Sequence, residues 1–443
     1  MNKHTFVTTT METMQWFVFM LASSVALPIV IGAIYEMDFL ELSGLMQRTF
    51  FVVGVVSLLQ GLFGHRLPIM EGPAGIWISI FSVMAITGLQ SGTSLTATLS
   101  SLQTTMIMTG LFLILFGVFK ISQKILPIFT PLVTGTFFFL LTVQLSGTFL
   151  NGMLGLQGDS STIQVPDAAL AFLTFFIVLG LSTFAKGWLG SYAVFIGIVI
   201  GWVLYEILIG VQGDRINTNL FSVPDLFAFG IPSFNLSIIP VAFITAIIVI
   251  SNAVASIVAV SQTLGLKQED FRKQVNQGTT FSGVGTGLAG IFSAIANVPL
   301  ATSAGFIALT GQKRKNPFIF AATLLIILTF FPPVVALISS IPSPIANAAL
   351  MASFVQLVGL AIRNVTLTTL DSRKVTIVGV TYLIGMGTMF LPPEVFANLP
   401  SIAQNLMSNG LLVGTGLVIL IEQLWRKDKS NAAKSKNKVR KSS

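Results

Sequence analysis

Residues Asn297 to Gly311 read N-V-P-L-A-T-S-A-G-F-I-A-L-T-G. The stretch lies among long apolar segments, but it is too short and too broken to cross a bilayer as one helix, because a crossing needs about 20 apolar residues. Pro299, Thr302, Ser303 and Gly305 interrupt it. The pattern therefore predicts an interrupted membrane segment rather than a plain span.

A second stretch, Leu67 to Ile80, has the same character and reads L-P-I-M-E-G-P-A-G-I-W-I-S-I. Its Ala74-Gly75-Ile76 corresponds to Ala304-Gly305-Phe306 of the first stretch. Short, Gly/Pro-interrupted segments at corresponding places in two halves of a membrane protein indicate a transporter's binding site at the bilayer midplane. We therefore treat the two stretches as a pair.

Composition sets the protein class. Hydrophobic residues make up 53% of the 443 residues and charged residues only 9%, against about 25% charged in soluble domains. Cysteine is absent, which excludes disulfides and thiolate metal sites. Lys3 and Glu12 precede a first apolar run, Gln15 to Tyr35, that is long enough to remain as a span rather than a cleaved signal.

The apolar segments predict an all-α polytopic membrane protein with 14 transmembrane segments in a 7+7 inverted repeat. The two interrupted segments are the third and the tenth, for which short strands are expected. An odd number of segments in each half gives the halves opposite orientations. The segments fall near 14–35, 49–65, 67–85, 100–119, 125–148, 168–185, 189–211, 237–263, 280–295, 297–312, 317–339, 343–362, 374–391 and 408–425.

The distribution of basic residues predicts the orientation. With a cytoplasmic N-terminus, 22 of the 24 Lys and Arg residues fall inside, and Arg48 and Arg215 fall outside. Both termini are then cytoplasmic. The basic tail, residues 426–443, is rich in Lys and Arg and contains no aromatic residue. This composition favours a disordered tail that touches anionic lipid over a segment that binds nucleic acid.

The broken segments predict a site for a small planar polar molecule. In hydrocarbon, non-helical backbone survives only where it is buried in protein or lines a water-filled cavity, and the half-helices that follow present amides to a ligand. Gly72, Gly75 and Gly305 permit close backbone approach, and Trp77 and Phe306 offer rings for stacking. The alternative is that these are ordinary glycine kinks with packing aromatics.

Three polar residues stand within the apolar segments. Glu71 lies where a charge is costly and marks a substrate or ion pathway; the alternative is a carboxylate near the interface, neutralised by Arg66 or protonated. Glu206, in W-V-L-Y-E-I-L-I, is a weaker candidate of the same kind. Asn252 has an amide that both donates and accepts, and its alternative role is a hydrogen bond between helices.

Several motifs resemble those of the nucleobase-ascorbate transporter family, the xanthine/uracil permeases. The first span, M-Q-W-F-V-F-M-L-A-S-S-V-A-L-P, is similar to that family's opening helix, with Gln15 kept and Trp16 at the position of the family's histidine. L-P-I-M-E-G-P-A-G-I-W fits its third segment. P-L-A-T-S-A-G-F-I-A-L-T-G fits its tenth, and I-P-S-P-I-A-N-A-A-L-M-A-S-F-V-Q-L-V-G-L-A-I-R its twelfth.

This resemblance implies a core domain, residues 1–124 and 231–340, and a gate domain, residues 125–230 and 341–425, followed by the tail 426–443. It further implies transport of a nucleobase, a purine such as xanthine, hypoxanthine, guanine or urate, across the cell membrane by H⁺ or Na⁺ symport. It implies a homodimer and no cofactor or metal. The expected substrate-binding residues are Trp16, Gly72, Pro73, Ala74, Gly75, Trp77, Asn252, Thr302, Ser303, Ala304, Gly305 and Phe306.

The chain departs from the family pattern at its polar positions. The family's Glu or Gln followed by Asn before the glycine is here Thr302 and Ser303, and its eighth-span glutamate falls on Asn252. We therefore expect Glu71 to supply part of the missing polarity and to couple transport to a cation. The runner-up is transport of another small anion, as in the sulfate transporters that share the fold. An enzyme is disfavoured because no catalytic cluster of residues is evident.

Overall fold

The computed structural model describes residues 3–90, 92–128, 130–156, 162–186, 188–210, 219–234, 236, 238–266, 271–396, 399, 407 and 410–425. The basic tail, residues 426–443, and Arg215 lie outside this range, so the positions predicted for them stay predictions. Counts and absences below refer to the described residues.

The first half of the chain contains nine helices and one short strand. The helices vary from one turn to more than eight turns. In order they are α1 (Lys3–Ile34), α2 (Phe39–Leu62), β1 (Glu71–Pro73), α3 (Gly75–Gln90), α4 (Leu95–Val118), α5 (Ile121–Ile125), α6 (Pro131–Met153), α7 (Val165–Phe184), α8 (Trp188–Ser191) and α9 (Ala193–Leu208).

The second half again has one short strand, placed before a short helix. Its elements are α10 (Ile238–Leu264), α11 (Phe271–Ile291), β2 (Asn297–Pro299), α12 (Thr302–Thr310), α13 (Lys315–Thr329), α14 (Pro332–Ser339), α15 (Ser343–Thr366), α16 (Ser372–Met389) and α17 (Gly410–Leu424). Single 3₁₀ turns lie at Leu126–Ile128 and Pro393–Phe396.

The described chain is therefore mainly helical and crosses the membrane several times. Seven of its helices are long and apolar enough to span a bilayer, and an eighth span results if α13 and α14, bent by 94° at their junction, are taken together. Pro332 and Pro333 begin α14, which accounts for the break, because proline lacks the N–H that would continue the helix. The prediction of 14 segments as an inverted repeat goes further than this count.

The start of α2 differs from the sequence prediction. The predicted segment begins at residue 49 and leaves Arg48 outside, whereas α2 begins at Phe39 behind a capping box formed by Asp38 and Glu41. Arg48 is buried within this helix, and its Nε donates a 3.0 Å hydrogen bond to the carbonyl of Ser293. The predicted boundary at residue 49 was wrong because this partner lies 245 residues away in sequence and satisfies a charge that the local pattern treats as a boundary. The side of the membrane predicted for Arg48 stays a prediction.

Glycine lets α4 and α11 pack backbone to backbone. A methyl group at Gly110 would lie 2.6 Å from the carbonyl oxygen of Gly283 and 2.7 Å from the amide nitrogen of Gly287. Both atoms belong to backbone, so the helices have to separate to admit it. We expect Gly110→Ala to destabilise the protein by about 1–3 kcal/mol, the usual cost of overpacking, measured as a lower thermal midpoint in detergent.

The matched control is Gly180→Ala in α7, where nothing lies within 4 Å of an added methyl group. It is expected to leave the midpoint unchanged. Equal midpoints for the two variants would contradict the close α4–α11 contact.

Candidate functional site

The two broken stretches meet as a two-stranded antiparallel sheet. Glu71 pairs with Pro299, Gly72 with Val298 and Pro73 with Asn297. The pairing continues one residue further, because the Leu300 amide donates a 2.9 Å hydrogen bond to the Met70 carbonyl. The expectation that short strands replace helix in these stretches agrees with the structure, and pairing satisfies backbone groups that a bilayer leaves unpaired.

Side chains from both halves hold the strands. The hydroxyl of Ser57 on α2 accepts the Glu71 amide at 3.0 Å, and the hydroxyl of Ser303 on α12 accepts the Met70 amide at 3.1 Å. On the other strand, Asn252 Nδ2 and Ser256 Oγ of α10 both donate to the Pro299 carbonyl, at 2.9 and 2.7 Å. Asn252 and Ser303 therefore position the strands; the hydrogen bond of Asn252 goes to a strand carbonyl and not to another helix.

The strands lead directly into α3 and α12, as predicted, but amides of α12 are already engaged. The Ser303 amide donates to the Leu300 carbonyl and the Ala304 amide to the Ala301 carbonyl. These two donors are thus not free for a ligand, because the turn before α12 uses them. The expectation of free amides at this helix start was wrong for these two residues.

The three glycines differ in what surrounds them. A methyl group at Gly72 would lie 2.7 Å from Leu300 Cδ1, and one at Gly75 would lie 2.4 Å from Leu145 Cδ1. Their missing side chains therefore make room for other side chains of the protein. Gly305 is exposed and has nothing within 4 Å of an added methyl group, so of the three it is the one that leaves space for a ligand.

Small residues that are exposed or half-buried follow both strands. Thr302 and Gly305 are exposed, and Ala74 and Ala304 are half-buried. Pro73 is buried directly before Ala74. We call Ala74, Thr302, Ala304 and Gly305 the small-residue surface; it belongs to both broken stretches.

The predicted aromatic residues are buried beside this surface. Phe306 contacts both Trp16 and Phe19, at ring-centroid distances of 4.5 Å, and Trp16 also contacts Phe318 at 5.2 Å. Trp77 is fully buried in the first turn of α3. Among the described residues, the indole N–H groups of Trp16 and Trp77 have no hydrogen-bond partner. The structure thus gathers Trp16 and Phe306, whereas Trp77 takes part in none of the described ring contacts.

Glu71 has a neighbour that the sequence interpretation did not consider. Its side chain is fully buried, and its Oε1 lies 3.6 Å from Nε2 of His65, which is also fully buried. Arg66, named as a possible counter-ion, is exposed and makes no ion pair in the described part of the chain. The available signal in the sequence was the spacing of six residues between the two ionisable groups, His65 and Glu71, within apolar sequence.

The remaining candidates lie elsewhere. Glu206 on α9 accepts a 3.0 Å hydrogen bond from the indole of Trp202, one turn earlier on the same helix. Gln15 is hydrogen-bonded to Gln312, beyond the end of α12. Within the described ranges, no group of three or more His, Cys, Asp or Glu residues is placed to hold a metal ion.

Comparison with known proteins gives a consistent result. The chain matches the permease family of xanthine and uracil permeases over residues 8–394. It is 31% identical over 433 residues to the protein of Bacillus subtilis (strain 168) named "Putative purine permease YwdJ", covering 96% of this chain and 98% of that protein. It is 26% identical over 414 residues to the "Xanthine permease" of the same organism, covering 92% and 91%.

A solved structure shares the fold. The transmembrane domain of a cyanobacterium bicarbonate transporter, BicA, superposes with a TM-score of 0.61 at 15% identity, covering 93% of this chain and 96% of that one. The relatives in sequence are named permeases, which points to transport rather than catalysis. With its several membrane-length helices and a family match over most of its length, the chain belongs to the xanthine/uracil permease family of multi-pass membrane proteins.

Proposed function

We propose that the protein is a secondary active transporter that moves a purine nucleobase, such as xanthine, hypoxanthine, guanine or urate, across the cell membrane by cation symport. The observation that carries this proposal is the β1–β2 pair with the small-residue surface at its ends. In a permease, this is where two half-helices and non-helical backbone converge at one point. A flat base fits a surface that lacks bulky side chains.

The substrate lies, in this proposal, on the small-residue surface, with Gly72, Pro73 and Gly75 shaping one strand and its helix. Trp16 of α1, Trp77 of α3 and Phe306 of α12 lie beside it. The unpartnered indole N–H groups of Trp16 and Trp77 are suitable donors for the carbonyl and ring-nitrogen acceptors of an oxidised purine. Asn252 and Ser303 hold the strands that form the site.

The architecture that fits this function is the 7+7 inverted repeat of 14 segments. Helix packing supports it: α2 packs on α13 while α4 packs on α11, and α6 packs on α15. In the predicted numbering these contacts join segments 2 and 11, segments 4 and 9, and segments 5 and 12. Exchanging each segment for the one seven places away turns the first pair into the second and leaves the third pair unchanged. A pseudo-two-fold relation between the halves requires this pattern.

The same contacts support two domains that move relative to each other. The core consists of residues 1–124 and 231–340 and carries both strands, and the gate consists of residues 125–230 and 341–425. Gly75 touches the gate directly, since a methyl group there would meet Leu145 of α6 and Phe354 of α15. Movement of the core against the gate would therefore change the access to the site from either side of the membrane.

Further parts of the proposal rest on the sequence and on the family resemblance. Both termini are cytoplasmic, the tail contacts anionic lipid, the protein acts as a homodimer, and Glu71 takes part in coupling to H⁺ or Na⁺. Transport of a small anion is the second candidate. Two observations favour this second candidate. The fold is shared with the transmembrane domain of the bicarbonate transporter, and the neutral residues Thr302 and Asn252 stand at positions where the family has acidic or amide groups.

Uptake in cells that lack their own nucleobase transporters tests the proposal. We expect radiolabelled xanthine, hypoxanthine, guanine or uric acid to enter faster in cells that produce the protein than in cells with the empty vector, and an ionophore to abolish the difference. Uracil, bicarbonate and sulfate serve as comparison solutes. Entry of bicarbonate or sulfate without entry of any purine would contradict the proposal and support the second candidate.

A further inference from the structure

His65 and Glu71 form a buried pair of ionisable groups next to the strands. The Nδ1 atom of His65 accepts a 3.0 Å hydrogen bond from the Leu67 amide. A neutral imidazole with Nδ1 as acceptor carries its hydrogen on Nε2, the nitrogen that lies 3.6 Å from Glu71 Oε1. Within the described part of the chain, that nitrogen has no hydrogen-bond partner, and the Glu71 carboxylate has only a weak interaction with the neutral side chain of Gln60.

Neutral groups surround the pair. Ser57 contacts the Glu71 backbone, and Gln60 accepts the His65 amide at 3.3 Å while it donates to Gly278 and Ser282 of α11. A methyl group at Gly278 would lie 3.4 Å from His65 Cβ, so α11 comes close to the histidine at this glycine. Nε2 of His65 and Oε1 of Glu71 therefore face each other, and the groups that surround them carry no charge.

Other charged groups on the packed elements are distant, paired or exposed. On α2, Glu41 is exposed, and Arg48 precedes Ser57 by nine residues, about 14 Å along a helix. On α1, Glu12 forms a 2.6 Å ion pair with Arg314. Arg272 and Lys273 of α11 are exposed, and α10 has no charged residue. The charge state of the site thus depends on His65 and Glu71 themselves.

The pair lies next to an exposed residue on one side and to the strands on the other. Arg66, the residue after His65, is exposed, so the histidine lies one residue from the surface. Glu71 belongs to β1 and pairs with Pro299 of β2. The side chains of Asn252 and Ser256 donate hydrogen bonds to the Pro299 carbonyl. A change of charge at Glu71 therefore acts directly on the strands that form the proposed site.

We propose that His65 and Glu71 together bind the proton that drives transport; this inference rests on the proposed function. Without that proton, imidazole and carboxylate carry one net negative charge, and with it the pair is neutral overall. An uncompensated charge in the membrane interior is costly, so the occluded transporter carries the proton. The proton is taken up on one side and released on the other, and only an N–H or O–H bond forms and breaks.

Proteoliposomes containing the full chain test this inference with radiolabelled xanthine and uric acid. Exchange is measured with equal pH and equal substrate on both sides, and accumulation is measured under an imposed gradient of about two pH units, acid outside. Each pH unit is worth about 1.4 kcal/mol, or tenfold. We expect the wild type to accumulate substrate toward about 100-fold under this gradient.

Glu71→Gln and His65→Gln are expected to retain exchange and to reduce accumulation to about the level without a gradient. The matched control is Glu206→Gln, since a glutamine oxygen still accepts the Trp202 indole hydrogen bond; it is expected to behave as wild type. Thermal midpoints of all variants are recorded beside transport, and the two variants of the pair report independently if one of them folds poorly.

Several outcomes would overturn the inference. The first is that Glu71→Gln and His65→Gln accumulate substrate at the wild-type level. The second is that accumulation by the wild type is driven by sodium and does not depend on pH. The third is that both variants lose exchange and accumulation equally while they keep the wild-type thermal midpoint. The last would make the pair part of substrate binding. If the wild type exchanges neither xanthine nor uric acid, the proposed function itself fails, which is distinct from a wild type that exchanges but does not respond to pH.

Discussion

Replacing Gly305 by leucine is expected to abolish uptake and leave the fold intact. Gly305 is exposed in the second turn of α12, and nothing lies within 4 Å of a methyl group added there. A leucine side chain therefore enters space that, in the proposed function, the base occupies. Because the Cβ position is open, we expect the side chain to fit without disturbing the fold, with a loss of at least about 100-fold in uptake, equivalent to about 2.7 kcal/mol, and an unchanged thermal midpoint.

The matched control is Gly387→Leu in α16. Gly387 is also a helical, exposed glycine with nothing within 4 Å of an added methyl group, but it lies in the proposed gate, away from both strands. Uptake at the wild-type rate is expected for this control. Normal uptake by Gly305→Leu would show that the small-residue surface is not the substrate site.

The second large effect is expected when the Pro299 carbonyl loses both of its donors. Asn252→Ala and Ser256→Ala each leave one hydrogen bond to this oxygen, at 2.7 and 2.9 Å respectively. The double variant leaves a buried carbonyl without either, which costs about 1–3 kcal/mol. We therefore expect each single variant to weaken apparent substrate affinity only slightly and the double variant to weaken it by about tenfold or more.

Competition by unlabelled xanthine against radiolabelled xanthine uptake measures this affinity in all four proteins. The non-additivity identifies a shared acceptor, as a double-mutant cycle requires. Asn364→Ala with Ser353→Ala is the control, because these side chains of α15 donate to carbonyls of their own helix. Strictly additive effects of Asn252→Ala and Ser256→Ala would contradict the role assigned to the Pro299 carbonyl.

The sequence interpretation succeeded where the signal is local. Pro299 and Pro73 interrupt apolar sequence, and a chain in a bilayer has few ways to satisfy the backbone there; the two strands follow from that restriction. It was less successful with residues whose partners are remote. The beginning of α2 was misplaced by ten residues because the pattern does not show that Ser293 satisfies Arg48.

The same distinction holds within the site. The sequence singled out Glu71 as a charge in apolar surroundings, but it named Arg66 as the neighbour, because adjacency in sequence was the only available measure. The turn after α2 exposes Arg66 and buries His65 against Gln60 and Gly278. Likewise, Gly72, Gly75 and Gly305 are equivalent in the sequence, and their different roles depend on whether Leu300, Leu145 or open space lies beside them.

The amino-acid sequence by itself determined that this is a multi-pass membrane protein of the xanthine/uracil permease family with two interrupted segments, because hydrophobic length and helix-breaking residues act locally. Tertiary structure alone decided which strand residues pair, that Asn252 and Ser256 share one carbonyl, and that His65 faces Glu71. These contacts join residues that are near in space and, for the strands and α10, far apart in the chain. Their geometry depends on how the helices pack, and no local pattern records it.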